Sequence, residues 1–426
     1  MRMPHFPTAP WKQNIQYNLE NISKLLITLG NPHLKLPPVI HIAGTNGKGS
    51  SVAMFKSIFE SAGYKVHAYT SPHLLEVNER IVVQGEKISD KFLFEVCERV
   101  RIASLKDDIE PSFFESITAA ACLAFAEVKA DILIFETGLG GRLDATNVVP
   151  APLITLITPI SYDHMQQLGN TLPEIAKEKA GIIKANIPCV ISCQVEEVYE
   201  VLLAKCRALN SLVFCYEYDF GIKKNDDSFN YLSQNANYQF SFPSLRGDHQ
   251  LINAAAVIAT IGLINTRFNI TNANIQRGLQ NIHWPARLQK ISFNKYSHLA
   301  HKHVQIWLDG AHNSAGAQVL AAWIADNLQP PVYLILGMTK NRNVEDFCLH
   351  LKLLIVKGYG VRVLSEVMSY SSEMVSQKGA AAGIEFVPSD SLEEAIKEIS
   401  NLKQEGTNII ITGSLFLAAD FLKLIE

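Results

Sequence analysis

With 426 residues the chain can build two or three domains, each with its own core. Its 48% hydrophobic and 19% charged residues exclude a disordered chain, and a formal charge of -3 argues against a nucleic-acid binder, which carries a basic excess. The longest apolar stretch, Leu251 to Ile264, is too short for a bilayer and is broken by Asn253 and Thr260, so it reads as a buried helix and no membrane partner is expected.

Met1 to Trp11 carries prolines and no apolar run, so no secretion signal is expected and the location reads as cytoplasmic. Leu19, Ile22, Leu25, Leu26 and Leu29 predict a helix over Tyr17 to Leu29, stopped by Gly30-Asn31-Pro32. Pro38 to Ala43 then reads as a buried strand, and Val52, Phe55, Phe59 and Ala62 recur at helical spacing beyond it. Between them lies Gly44-Thr45-Asn46-Gly47-Lys48-Gly49-Ser50, a phosphate-binding loop by its setting. Glycines let backbone N–H groups curl around an anion, the helix start adds positive potential, Lys48 adds a full charge and Ser50 offers a hydroxyl to magnesium. The usual pattern has its first glycine where Ile42 stands and no residue between the lysine and the hydroxyl, so the strand-loop-helix order carries the assignment. The alternative is a glycine turn with a surface lysine.

This heptapeptide resembles the loop of the folylpolyglutamate synthases and dihydrofolate synthases of the Mur ligase superfamily. The resemblance implies an α/β fold: a P-loop, Mur-ligase-like ATPase domain with a mostly parallel sheet, then a smaller Rossmann-like C-terminal α/β domain. It also implies that Gly44, Thr45, Asn46, Gly47, Lys48, Gly49 and Ser50 all bind ATP, with Lys48 catalytic. Too few residues precede Gly44 for the extra N-terminal domain of the peptidoglycan branch.

Lys65 to Thr70 reads as the next strand, running into Ser71-Pro72-His73-Leu74. The resemblance implies that Ser71 is a magnesium ligand and that Ser71, Pro72 and His73 form a turn accompanying dihydropteroate binding; on the residues alone His73 is as readily a loop histidine. Helices over Lys91 to Leu105 and Phe113 to Val128 flank the acidic turn Asp107 to Pro111, read as solvated charge. Phe113, Phe114, Glu115 and Ser116 match the family's pterin-side segment, though two phenylalanines opening a helix are also natural core.

Asp131 to Glu136 is a buried strand ending in a carboxylate, where an open parallel sheet presents ligands to a hard cation. The glycine-rich Thr137 to Asn147 follows. It closely resembles the family signature, which implies that Arg142, Leu143, Asp144 and Ala145 contact substrate and that Glu136 binds metal. The strand Leu153 to Thr158 leads to Asp163-His164, a metal ligand or a structural hydrogen bond; the resemblance gives His164 to a second metal and to catalysis. Thr171-Leu172-Pro173-Glu174 is a capping box, so Ile175 to Gly181 reads as helix. By charge Lys177 and Lys179 face solvent. The resemblance instead makes Lys179 a catalytic, carbamylated lysine able to serve as an oxygen ligand.

The seven cysteines include no CxxC pair and read as reduced thiols, with Cys189 and Cys193 buried on one face of a strand. Val190 to Phe220 gives strand, helix, strand; Lys223 to Asn237, polar and asparagine-rich, reads as a loop or irregular sheet excursion. Gly247 opens a small-residue helix in which the resemblance places Asn253 near the nucleotide. His283 to Leu288 marks the boundary between domains 1–284 and 285–426, and strands near 304, 332, 361, 384 and 408 alternate with helices beyond it. Trp307 to Asn313 matches the family again, implying that Arg287 and Asp309 bind ATP and that His312 is catalytic. At Gly337 to Asn343, related enzymes more often carry Asp-Lys-Asp where this chain has Thr339-Lys340-Asn341-Arg342.

With Thr412 to Leu415, six separated motifs agree in order. They imply an ATP-dependent amide ligase with two magnesium sites. The γ-phosphoryl of ATP activates a carboxylate, and the amine of L-glutamate attacks the acyl phosphate. Dihydropteroate and tetrahydrofolate are the implied acceptors, and Ser71-Pro72-His73-Leu74 favours an enzyme using both. A monomer with only small-molecule partners is expected. The alternatives are a monofunctional folylpolyglutamate synthase, a Mur-type cell-wall ligase, and a P-loop ATPase switch; for a GTPase the base reader is missing, since Asn294-Lys295 runs into Tyr296-Ser297.

Overall fold

The computed structural model describes residues 18–234 and 236–426, so Met1 to Trp11 and the expected helix start at Tyr17 lie outside the described residues. Contacts divide the chain into a first unit running to Ser244 and resuming over Gln250–Ile282, and a second of Leu245–His249 with His283–Glu426.

Eight strands form the first unit's main sheet: β1 (Val39–Ala43), β2 (Val66–Tyr69), β3 (Ile81–Val83), β4 (Glu86–Lys87), β5 (Ile132–Glu136), β6 (Ile154–Ile157), β7 (Cys189–Ile191) and β8 (Val213–Cys215). Their order is β4-β3-β2-β5-β1-β6-β7-β8. From β2 to β8 every pairing is parallel, and β3 and β4 add an antiparallel edge. β1 and β5 are buried along their whole length, as strands covered on both faces must be, which is why they read as unbroken apolar runs. The helices Glu20–Thr28, Asp90–Lys106 and Phe113–Glu127 close one core around Ile22, Leu25, Phe125, Leu133 and Phe135. Leu172–Lys179 and Glu196–Ala208 close another around Ile175, Val198, Leu202 and Ile191. The chain leaves β1 toward β2 and later returns past it to β6, so β1 is the switch point where an open α/β sheet forms its ligand crevice.

The stretch expected as loop or irregular sheet is a regular antiparallel sheet, β9 (Phe220–Lys224), β10 (Ser228–Ser233) and β11 (Ala236–Ser241). Phe229, Tyr231 and Phe240 are buried, while the Asn230 amide donates to Asn237 at 2.9 Å. Phe229 and Tyr231, and then Tyr238 and Phe240, alternate with polar residues at the period of two that marks a strand, a signal set here within a strongly polar composition.

The second unit's sheet holds β12 (Gln289–Lys290), β13 (Gln305–Leu308), β14 (Val332–Leu336), β15 (Lys357–Gly360), β16 (Phe386–Pro388) and β17 (Asn408–Thr412) in the order β12-β13-β17-β14-β15-β16. Only the two-residue β12 pairs antiparallel. β15 ends at Gly360 rather than spanning 361, and its Lys-Gly-Tyr-Gly sequence explains the shift, because glycines carry no strand signal. All seven cysteines are free, and Cys193 lies past the end of β7 rather than within it. Among the described residues no helix is long and apolar enough to cross a membrane.

The helix Asn272–Gln280 packs on Lys48–Ser61 through Gly278, where a Cβ would stand 2.5 Å from the Ile58 Cα. Gly262, on the helix Asp248–Ile264, faces open space. Gly278→Ala is therefore expected to destabilise the first unit by about 1–3 kcal/mol. Gly262→Ala should stabilise it by about 0.5–1 kcal/mol. Urea unfolding of both variants checks the pair.

Candidate active site

Where β1 ends, Gly44 approaches the segment after β6 so closely that a Cβ would lie 1.9 Å from the Thr158 hydroxyl. The N–H groups of Thr45 and Asn46 donate to the Pro159 carbonyl at 3.0 and 3.1 Å, and the Thr45 hydroxyl donates to the Ser161 carbonyl at 3.1 Å. Gly47, at φ 89°, caps the helix without a side chain, and such a helix start accepts an anion. A Cβ there would meet the Asn253 Oδ1 at 2.5 Å, which places the expected nucleotide residue on the loop. Asn253 donates to Gln250 at 3.1 Å, and Gln250 donates to the Ser50 hydroxyl at 3.3 Å, so Gln250 joins two residues the sequence singled out. Lys48 folds over its own loop, donating to the carbonyls of Gly44 at 3.1 Å and Thr45 at 3.2 Å.

β5 lies beside β1 with Ile42 opposite Glu136, and β2 lies beside β5 with Tyr69 opposite Phe135. Three adjacent strands thus deliver the loop, Glu136 and Ser71 to one sheet edge. The buried Glu136 carboxylate accepts the Ser71 N–H at 3.3 Å. On the other side of β1, the segment after β6 carries Asp163, a buried carboxylate accepting the His164 N–H at 2.7 Å. The same oxygen stands 3.7 Å from His164 Nε2, so a structural hydrogen bond joins the pair through the His164 N–H. His164 sits at φ 50°, a left-handed conformation that non-glycine residues adopt at some energetic cost. Among the described residues no three His, Cys, Asp or Glu side chains gather as a metal cluster. Hydroxyls and one carboxylate are instead the donor set with which magnesium is held when phosphates and waters complete its shell. The residues fit that ion.

Lys179 does not face solvent. It is 4% exposed and donates to the Gly44 carbonyl at 2.8 Å. Burial, and then the nearby Lys48 charge, push its ammonium well below the ordinary lysine range, against the pull of Asp144. Lys179 lies four residues after the buried Ile175, on the same helical face, whereas Lys177 is exposed.

Asp144 frames the glycine turn. Its Oδ2 accepts the N–H groups of Gly138 and Leu139 at 2.9 and 2.8 Å, and its Oδ1 accepts the Thr146 N–H and hydroxyl at 3.0 and 2.5 Å. Burial pushes its carboxyl up and these bonds pull it down. Asp144, expected at the substrate, thus also braces the turn from within. Arg142 pairs with Glu178 at 2.9 Å, and its N–H donates to the Glu178 carbonyl at 2.7 Å, fastening the turn to the helix that carries Lys179. Leu143 is half-buried and Ala145 buried at the start of a short 3-10 turn.

On the other side of Glu136, Phe114 lies over Gly138, where a Cβ would be 2.4 Å from its ring. Glu115 accepts the Ser112 N–H at 2.8 Å, which makes it the partner of a capping box, and Ser116 is buried. Phe113 lies under the Arg80 guanidinium at 5.4 Å, and Arg80 Nε donates to His73 Nδ1 at 2.8 Å. Arg80 is buried; burial lowers its pKa while Tyr69 and Glu136 favour its charge. Sequence reasoning passed over Arg80. Its signal was an arginine in the polar run Glu76 to Arg80 directly before the apolar β3.

In the second unit Asp309 accepts the N–H groups of Leu288 and Ala311, both at 2.8 Å. Burial raises its carboxyl and the Arg287 charge opposes this. His312 Nδ1 lies 2.9 Å from the Gly310 carbonyl. One turn thus gathers Arg287, Asp309 and His312. In the departing segment, Lys340 is exposed and burial lowers the Arg342 guanidinium to about 10.

A family model described as the Mur ligase middle domain matches residues 42–261, and one described as the dihydrofolate synthetase C-terminal domain matches 289–424. The chain is 33% identical to a dihydrofolate synthase/folylpolyglutamate synthase of Bacillus subtilis, over 97% of this chain and 96% of that protein. It belongs to the dihydrofolate synthase/folylpolyglutamate synthase family. A folylpolyglutamate synthase of Lacticaseibacillus casei is also 33% identical, over 93% of this chain and 92% of that one. Among solved structures, the folylpolyglutamate synthase of Mycobacterium tuberculosis complexed with ADP and AMPPCP superposes with a TM-score of 0.85 at 28% identity, covering 96% of this chain and 95% of that one. The mostly parallel sheet and the second α/β unit are the fold of this family.

The geometry yields two expectations. Arg80→Met removes the donor on His73 and the cover of Phe113, and should raise the KM for the acceptor substrate by about tenfold, the loss of one charge-assisted hydrogen bond. Steady-state kinetics with ATP saturating checks it. The second concerns His41 of β1, fully buried, which burial holds at a pKa of about 3. A depressed histidine pKa means the unfolded chain takes up a proton that the fold refuses. Stability should therefore fall as pH drops from about 6.5 toward 3. His41→Phe should flatten that part of the pH dependence in denaturant titrations.

Proposed function

We propose that the chain joins L-glutamate in amide linkage to dihydropteroate, giving dihydrofolate, and to tetrahydrofolate or its polyglutamates, with ATP converted to ADP and phosphate. The observation that carries this reading is the convergence of the glycine loop, Glu136 and the Ser71 turn at one edge of three adjacent strands, with Lys179 buried against the loop.

Lys48 and the amides at the helix start after Gly47 would hold the ATP phosphates beside the acceptor carboxylate. Ser50, Ser71 and Glu136 would hold one magnesium ion, and His164 and Lys179 would serve a second. Magnesium supplies charge neutralisation to the phosphoryl group in flight. Phosphorylation makes the carboxylate an acyl phosphate, from which the glutamate amine displaces phosphate. Burial disfavours the ammonium form of Lys179, and its neutral amine would attack carbon dioxide, lose a proton and become a carbamate whose oxygens would be available to a cation. In the first unit Asn253 also serves the nucleotide; Ser71, Pro72, His73 and Phe113 to Ser116 line the pterin side, and Arg142 to Ala145 shape the acceptor turn. In the second, Arg287 and Asp309 are assigned to the nucleotide and His312 to the reacting groups. The enzyme acts as a cytoplasmic monomer.

Relatives of equal identity carry the names of both activities and of one. The deciding assay is phosphate release with Mg-ATP and L-glutamate in the presence of dihydropteroate, tetrahydrofolate or no acceptor, with product masses read in parallel. Both acceptors are expected to gain glutamate. Gain by tetrahydrofolate alone would leave a monofunctional folylpolyglutamate synthase, and acceptor-independent release with no mass gain would overturn the ligase.

A further inference from the structure

His41 is a polar residue in the middle of β1, in a register position between strands β5 and β6 and 5.8 Å from the Phe135 ring. An apolar core would accept phenylalanine there. The histidine instead reaches Thr146, with Nε2 2.9 Å from its hydroxyl, and that hydroxyl lies 2.5 Å from Asp144 Oδ1. The Asp144 carboxylate receives four donors, so the Thr146 hydroxyl donates its single proton to it and accepts from His41. The proton of the neutral imidazole therefore sits on Nε2. Nδ1 is then a buried acceptor with no hydrogen-bond partner among the described residues. Leaving an acceptor bare is unfavourable, and filling the site with a hydrocarbon would avoid it. What the histidine adds is the bond to Thr146.

We propose that His41 and Thr146 are positioning residues that hold the turn Thr137–Asn147 in its acceptor-binding shape from the strand that carries the ATP loop. The proposal rests on the function given above. The bonds close a circuit. From His41 they run through Thr146 to Asp144 and the Gly138 and Leu139 amides, and from the turn through Arg142 N–H to the Glu178 carbonyl at 2.7 Å. Lys179, the next residue, donates to Gly44, which directly follows β1. The ATP loop has further anchors outside this circuit, on Pro159, Ser161 and Gln250. Loosening Thr146 should therefore reach the acceptor side and spare ATP binding.

The test compares Thr146→Val, nearly isosteric but without the hydroxyl, with Thr146→Ser, His41→Phe and the Thr146→Val/His41→Phe double variant, measuring KM for dihydropteroate and for ATP, kcat and melting temperature. Thr146→Val should raise KM for dihydropteroate about tenfold and leave KM for ATP within about twofold, in keeping with one lost hydrogen bond to a charged group. Thr146→Ser should restore it, and the double variant should be no worse than Thr146→Val, since both break one chain. An unchanged dihydropteroate KM, a parallel rise in both KM values, or a serine variant as impaired as valine would overturn the proposal. If Thr146→Val does not fold, the folded His41→Phe is decisive by the same split. Wild-type protein that never turns over dihydropteroate would instead overturn the assigned function.

Discussion

The Gly44 carbonyl receives two lysine amines, Lys48 at 3.1 Å and Lys179 at 2.8 Å, and the rest of the site is arranged around that meeting. Two ammonium groups sharing one acceptor in a buried place repel each other. The structure relieves this through Lys179, whose ammonium is disfavoured by burial and by Lys48. An anion arriving at the loop changes the balance, because its charge faces both amines. Under the proposed function, phosphate at the helix start and a carbamate on Lys179 would each supply negative charge here, which would link nucleotide, lysine modification and cation electrostatically.

That meeting depends on a close approach. Gly44 has no room for a side chain beside Thr158, and the amides of Thr45 and Asn46 are fixed to Pro159. The loop is consequently held by the segment after β6 on one side and by Lys179 on the other. Because β1 lies between β5 and β6, a single strand end sees both the carboxylate of Glu136 and the Asp163-His164 pair. The parallel order of the sheet is what makes this possible, since parallel strands send all their C-terminal ends to one edge.

The parts of this site that are local in sequence were legible: the glycine loop and its helix, the carboxylate ending β5, the capping box before Lys179. Sequence reading faltered wherever packing across the fold decided the outcome. Lys179 reads as charge on an amphipathic helix until its spacing from Ile175 is taken as a burial signal. Asp144 reads as a contact for substrate, and the fold adds a task the sequence does not show: four donors, one of them presented by a residue that His41 engages from another strand, make it a brace of the glycine turn. Arg80 carries no motif, and only its place above Phe113 and beside His73 identifies it. In the second unit the Lys-Gly-Tyr-Gly strand and in the first the amide-rich hairpins were blurred for a different reason, namely that glycine and asparagine have low strand propensity without preventing pairing.

This division between local and long-range construction bears on how one fold serves different acceptors. The ATP side is assembled largely from short stretches that bring their own geometry. Under the proposed function, the acceptor side is assembled from β2, the run before β3, the helix after Ser112 and the turn after β5, which side-chain contacts such as Arg80 with His73 and Phe114 over Gly138 join. Substitutions in those contacts can reshape the acceptor wall while leaving the loop untouched. Overall identity is then a poor guide to acceptor choice: relatives named for both activities and for one stand equally far from this chain at 33%. Under the proposed function, the distinction is to be sought in the side chains that connect these four segments and in the His41–Thr146 bond that braces the turn.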